Sequence, residues 1–279
     1  MKIRVPSWLA LPVALLLSGC PAGGGGDGGF GNGGGISSRI AYVANSGSNN
    51  VFGYMIATNG ALTTIIGSPF SGVTAPSAVT VSANATFVYV TNQGGANSVS
   101  AFTVNSTTAE LTLVANSPFA AGTNPSAVTV SPNGNFLYVA NGGSNDVSAY
   151  TITTGTGALT PVTNSPFAAG TNPSAVTVSP NGNFLYVANG GDNNVSAFTI
   201  DGATGALTSP ATIAAGTSPS GVSIDPNGLF LYVTNSGSNN VSAYTITTGT
   251  GALTPISGAL GNPFSAGTTP LGIATPGRP

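Results

Sequence analysis

The sequence predicts an all-β chain folded as a β-propeller of five four-stranded antiparallel blades, and three observations carry that reading. A tetrad Tyr-Val-Ala-Asn or Tyr-Val-Thr-Asn begins at Tyr42, Tyr89, Tyr138, Tyr186 and Tyr232, at successive spacings of 47, 49, 48 and 46 residues. A fixed period in this range marks an array of one supersecondary unit. Each period holds four strand-like runs separated by turn signals. The composition fits: 41 Gly, 20 Pro and only 4% charged residues in 279, with no convincing helical stripe beyond the N-terminus.

The third copy shows the unit most clearly. Ser126 to Ser131 alternates small polar and apolar residues, the period of a half-buried strand. Pro132-Asn133-Gly134-Asn135 follows, and Asn-Gly between two such runs predicts a hairpin because both residues tolerate positive φ. Phe136 to Ala140 is rich in aromatic and β-branched types and is predicted to be the most buried strand. After the polar bend 141–146, Val147 to Ile152 alternates again. The short run Ala158 to Val162 contains Pro161, which removes a ladder donor and suits an edge. Four antiparallel strands per repeat make a propeller blade, and Asn-Gly hairpins disfavour a parallel solenoid with two coils per period.

The two ends of the repeat region complement each other. Arg39 to Asn45 corresponds to the second strand of a blade, so the first unit starts without its inner strand. Pro270 to Thr275 corresponds to that inner strand. Pairing them is expected to close the ring and remove open edges. A chain that left its ring open would instead have free strands through which copies could pair.

The predicted organisation is therefore residues 1–19 as a signal peptide, 20–38 as a tether, 39–275 as the propeller and 276–279 as a tail. Met1-Lys2-Ile3-Arg4 is a short cationic start, and Val5 to Leu17 is mostly apolar yet too short for a convincing membrane span. Leu17-Ser18-Gly19-Cys20 resembles the bacterial lipobox, and Cys20 is the only cysteine. Acylation of Cys20 would hold the chain on a membrane surface. Pro21 stands where an aspartate would resemble an inner-membrane retention signal, so the outer membrane is the expected site. Residues 21–38 include ten glycines and predict a flexible tether of roughly 25 Å r.m.s. span. They precede no helix and lack a Lys-Ser/Thr ending, so they do not read as a phosphate cradle.

Charge narrows the chemistry. After removal of the leader the chain has no Lys and no His, and its charged residues are Arg39, Arg278, Asp27, Glu110, Asp146, Asp192, Asp201 and Asp225. That balance disfavours nucleic acid as a partner, and nothing calls for a cofactor. The acids sit at turns, where Asp commonly caps its own backbone. Asp146 and Asp192, in corresponding bends of two repeats, are the weak alternative for a Ca²⁺ site.

The residues that close the tetrads, Asn45, Asn92, Asn141, Asn189 and Asn235, have two readings. Asn accepts left-handed geometry and bonds neighbouring backbone, which makes a repeated structural bend. Alternatively these bends form an amide-rich rim for a glycan or protein partner. The tetrad tyrosines sit mid-strand among apolar neighbours and are expected to pack.

The tetrads, the Ser-Pro-Asn-Gly turns at Ser131 to Gly134 and Ser179 to Gly182, and Thr-Gly-Ala-Leu at Thr156 to Leu159 and Thr204 to Leu207 resemble YVTN β-propeller repeats. These are similar to lactonase-type propellers, including 6-phosphogluconolactonase, and to repeats of microbial surface-layer proteins. The resemblance spans Arg39 to Thr275 and implies either a surface protein or a lactone hydrolase with its site at the ring axis. Lactonase-type rings resemble seven-bladed propellers, whereas this chain supplies five units. Residues 118–141 and 166–189 are identical, so the blades offer nearly the same surface. A phosphorylated lactone needs cationic clamps, and only Arg39 lies within the ring. Repetition without converging groups predicts a surface-anchored, non-catalytic propeller for binding or envelope structure, with a lactonase-like hydrolase as the alternative.

Overall fold

The computed structural model describes residues 39–275 except 96, 209–210 and 257–261; the leader, Cys20 and the Gly-rich tether lie outside the described residues. Within them there is no helix, and the strands form five antiparallel sheets. The third sheet is the pattern for the rest. Its inner strand Pro125–Val130 pairs with Phe136–Asn141, which pairs with Asp146–Ile152, which pairs with Leu159–Pro161. A short extra strand, Phe167–Ala168, pairs with the start of the third strand. The first sheet has three strands, Ile40–Asn45, Asn50–Ile56 and Leu62–Thr64.

The hairpin between inner and second strands forms, but by a different geometry from the two-residue Asn-Gly turn. Only Gly134 takes positive φ, at 75°. Pro132 fixes the preceding φ near the helical value, which suits a type I turn. Asn133 contributes its side chain instead: its Oδ1 accepts from the Asn135 N–H at 3.0 Å and from Ser131 Oγ at 2.6 Å. Ser131 Oγ accepts in turn from the Phe136 N–H at 3.0 Å. In the fifth sheet Asp225 replaces that serine and accepts from the Leu229 and Phe230 N–H groups at 2.6 and 2.7 Å.

The cores lie between sheets. Phe87 and Tyr89 of the second sheet share a buried cluster with Val128, Leu137, Val139 and Leu159 of the third. Corresponding clusters fill the other three joints. The tetrad tyrosines tie these joints. Tyr89, Tyr138 and Tyr186 are fully buried and donate to the Gly157, Gly205 and Gly251 carbonyls of the following sheet at 3.1, 3.0 and 2.9 Å. Each carbonyl belongs to a glycine at positive φ, and a Cβ there would meet the phenyl ring of the preceding sheet: Phe136 lies 2.4 Å from such an atom at Gly205. Burying each phenylalanine contributes about 2 kcal/mol.

Inner strands adjoin one another and are stitched by their second residue. Ser77, Ser126 and Ser174 donate to the Pro125, Pro173 and Pro219 carbonyls at 2.6, 2.6 and 2.7 Å. Ser220 donates in the same way to the Pro270 carbonyl at 2.7 Å. Pro270 to Thr275 therefore lies where a further inner strand would. It forms no ladder, and no described strand pairs with the inner edge of Ile40–Asn45. The expected pairing of the two ends is not formed among the described residues.

Candidate functional site

The bend after each tetrad carries most of the polar chemistry. Asn92, Asn141, Asn189 and Asn235 are buried, and Asn45 is half-buried. Asn189 Nδ2 donates to Asn194 Oδ1 at 2.7 Å and to Ser196 Oγ at 2.8 Å, while its Oδ1 accepts from the Gly170 N–H at 3.2 Å. Asn235 repeats all three contacts with Asn240, Ser242 and Gly216. Asn92, Asn189 and Asn235 thereby join the second and third strands to the strap leading into their own inner strand, whereas Asn141 donates to Asp146 and Ser148 and its Oδ1 is buried without a hydrogen-bond partner. None takes positive φ.

The left-handed position falls four residues later, or five in the second repeat. Asn49, Asn97, Asn145, Asn193 and Asn239 all have φ between 44° and 62°. Each Oδ1 accepts an N–H from the start of the next repeat: Ala75 at 2.6 Å, Asn124 at 3.0 Å, Asn172 at 2.8 Å, Ser218 at 2.8 Å and Thr269 at 2.7 Å. Sequence reasoning missed this ladder. Its spacings of 48, 48, 48 and 46 were a signal as regular as the tetrads themselves.

The donor residues of the ladder sit immediately before the inner strands and are themselves left-handed. They gather at the end of the array from which the inner strands start. Asn124 and Asn172 are exposed there. A Cβ placed on Gly142 would lie 2.9 Å from Asn172 Oδ1 and 3.4 Å from Asn124 Nδ2, so the two carboxamides converge over that glycine. Asp192 reaches the same end: its Oδ2 accepts from the Thr171 N–H at 2.7 Å, next to Asn172. This bond holds the exposed carboxyl below the usual carboxylate range. Ser144 and Ser238 occupy the corresponding positions of neighbouring repeats and make the corresponding bond, so Asp192 is where the repetition breaks and a charge enters.

The other acids serve turns. Asp146 Oδ1 accepts from Asn141 Nδ2 at 2.7 Å, and Asp201 Oδ1 accepts from the Ala203 and Thr204 N–H groups at 2.9 Å, which lowers its pKa. Asp146 and Asp192 share a bend type but occupy different positions in it, each with its own partner. Among the described residues no three His, Cys, Asp or Glu side chains gather into a metal-binding group. Burial raises the pKa of Tyr42, Tyr89, Tyr138 and Tyr186, which keeps these hydroxyls protonated as donors. Arg39 is the only cation among the described residues. At the opposite end, the hairpin turns around Pro180-Asn181 and Pro226-Asn227 border a shallow depression of about 360 Å³.

The lactonase family, described as a 7-bladed β-propeller, matches residues 36–171 and 162–264. No curated protein sequence matches the chain. Among solved structures, the periplasmic gluconolactonase of Pseudomonas aeruginosa superposes with a TM-score of 0.67 at 19% identity, over 84% of this chain and 69% of that one. A Bacteroides uniformis protein provisionally assigned as a 6-phosphogluconolactonase gives 0.69 at 21% identity, over 78% and 66%. A Lactobacillus plantarum protein gives 0.69 at 22%, over 84% and 70%. The chain thus spans about two thirds of the length of these neighbours, and at these identities the superpositions show a shared fold alone. With the repeating sheets, the tyrosine joints and the matched residues together, the chain belongs to the lactonase family of β-propellers.

Proposed function

We propose that the chain is a five-bladed lactonase-type hydrolase that takes uncharged, hydroxylated lactones at the mouth formed by Asn124, Asn172 and Asp192. Family membership over residues 36–264 is the observation that carries the lactone reading. The site chemistry narrows it. Carboxamides donate to a lactone carbonyl and to ring hydroxyls, and the Asp192 carboxylate, ionised throughout the neutral range, accepts from an attacking water or a sugar hydroxyl. Arg39 precedes the first strand of the first sheet, and no other cation among the described residues could clamp a phosphate, which favours neutral substrates. Hydrolysis of glucono-1,5-lactone and acyl-homoserine lactones by the full-length chain, against a heat-unfolded control, tests this. Saturable turnover that falls in Asp192→Asn supports it, and the absence of turnover in folded protein refutes it.

A second reading, a non-catalytic surface protein, is favoured by the near-identity of the repeats and by the engagement of the other described aspartates, Asp146, Asp201 and Asp225, in bends and turns. In this reading the exposed bends flanking Asn45, Asn92, Asn141, Asn189 and Asn235 contact a glycan or envelope protein. Both readings place the chain on the outer membrane through acylated Cys20, with the Gly-rich segment as its tether. Globomycin-sensitive processing and detergent partitioning of the chain test that placement.

A further inference from the structure

Four joints between sheets are filled, and each is made of the same two faces. The fifth sheet carries a trailing face with nothing upon it among the described residues. Phe230 and Tyr232 are half-buried there, whereas Phe87, Phe136 and Phe184 and their tyrosines are buried. No described residue accepts from the Tyr232 hydroxyl. The first sheet carries the matching leading face. Leu62 is 57% exposed, against 9%, 5% and 6% for Leu111, Leu159 and Leu207 in its position. A Cβ on Gly60 would meet nothing within 4 Å, whereas Gly157, Gly205 and Gly251 are covered by the preceding phenylalanine.

The two faces answer each other residue by residue. Phe230 has the ring that would cover Gly60 and Leu62, as Phe136 covers Gly205 and Leu207. Tyr232 has the hydroxyl for the Gly60 carbonyl. Thr269 to Thr275 is already held by Asn239 and Ser220 in the place of an inner strand and lacks a second strand, while Ile40–Asn45 is a second strand lacking an inner one.

We propose that these faces form an interface between copies of this chain, the trailing face of one seated on the leading face of the next. The joint angle argues for a second copy over closure of one chain on itself. The described sheets superpose as a block on about two thirds of lactonase-type neighbours, whose family is seven-bladed, so each joint turns by about 51°. Five blades at that angle leave the ends about two blades apart. Closing one chain requires each joint to tighten by about 21°, whereas two copies in a ten-bladed ring require each to relax by about 15°. The two-copy ring therefore asks each joint for the smaller departure. The pairing would also cover both free strand edges.

The test uses full-length chains in a Cys20→Ser background. Leu62→Cys is placed in one preparation and Phe230→Cys in another, and the two are mixed under mild oxidation. A disulfide-linked dimer that appears only in the mixture, with twice the chain mass by sedimentation of the unsubstituted protein, is the expected result. An intrachain disulfide in a Leu62→Cys, Phe230→Cys double variant at high dilution, with a monomeric mass, would overturn the proposal in favour of self-closure. A monomeric mass at all concentrations without crosslinking would overturn it also.

Discussion

Replacing Gly205 with alanine separates the joint between sheets from the turn that builds it. Gly205 has φ of +76°, and an added Cβ would lie 2.4 Å from Phe136 Cδ1 and 2.7 Å from Cε1. Alanine in the left-handed region costs about 1 kcal/mol. Displacing a packed ring adds about 2 kcal/mol, because Phe136 is held among Tyr138, Leu185 and Leu207. Gly155→Ala is the matched control: its φ is +86° and a Cβ there meets nothing within 4 Å, so only the backbone cost applies. With a urea slope of about 3 kcal/mol per molar, Gly205→Ala is expected to lower the unfolding midpoint by about 1 M and Gly155→Ala by about 0.3 M. Equal shifts for the two variants would refute the seating of phenylalanine on glycine as the source of the joint's stability.

Other outcomes follow from the same geometry. Tyr138→Phe leaves the buried Gly205 carbonyl without its donor and should cost about 1.5 kcal/mol by urea unfolding. Asn189→Ala removes two donated bonds and one accepted bond from a buried site and should cost about 3 kcal/mol, well above Asn193→Ala at the exposed bend, read by the same assay. Asp192 and Asp201 have folded pKa values below their unfolded ones, so their contribution to stability is present above about pH 4 and is lost as pH falls through the lower folded values. An acid titration of the unfolding midpoint should therefore be flatter below pH 4 in Asp192→Asn, Asp201→Asn than in the unsubstituted chain. Gly60→Ala should unfold like Gly155→Ala when the chains are apart, and should weaken their association in sedimentation.

The repeat was legible because strand chemistry is local. Alternation in Ser126 to Val130, the Pro132 to Gly134 turn and the aromatic run from Phe136 each predict their element without knowledge of neighbours, and the observed strands fall within a residue or two of those limits. What joins the sheets was less legible because it depends on residues about 67 positions apart. Tyr138 was expected to pack, yet its hydroxyl partner could not be read from the tetrad; nor could the role of Gly205 as a seat for Phe136. The Asn pattern misled in a specific way. In the bend reading the tetrad Asn suits left-handed geometry, but the chain stays extended there and turns at Asn145 or Asn193. Asn141 and Asn189 are buried in linking strands, whereas Asn124 and Asn172 are exposed. Their exposure follows from the left-handed residue before each inner proline, a conformation that sequence alone did not reveal. Closure was inferred from strand order, whereas whether the ends meet is decided by the angle accumulated at four joints.

Lactone turnover by the full-length chain and by its Asn124→Ala, Asn172→Ala variant, followed across neutral pH, is the most direct measurement of the functional account. Saturable hydrolysis of uncharged lactones is expected, with KM raised at least tenfold in the variant and no acid limb above pH 5, since Asp192 is already ionised there. Absence of hydrolysis by protein with an intact unfolding transition, or turnover indifferent to both asparagines and to Asp192, would contradict it.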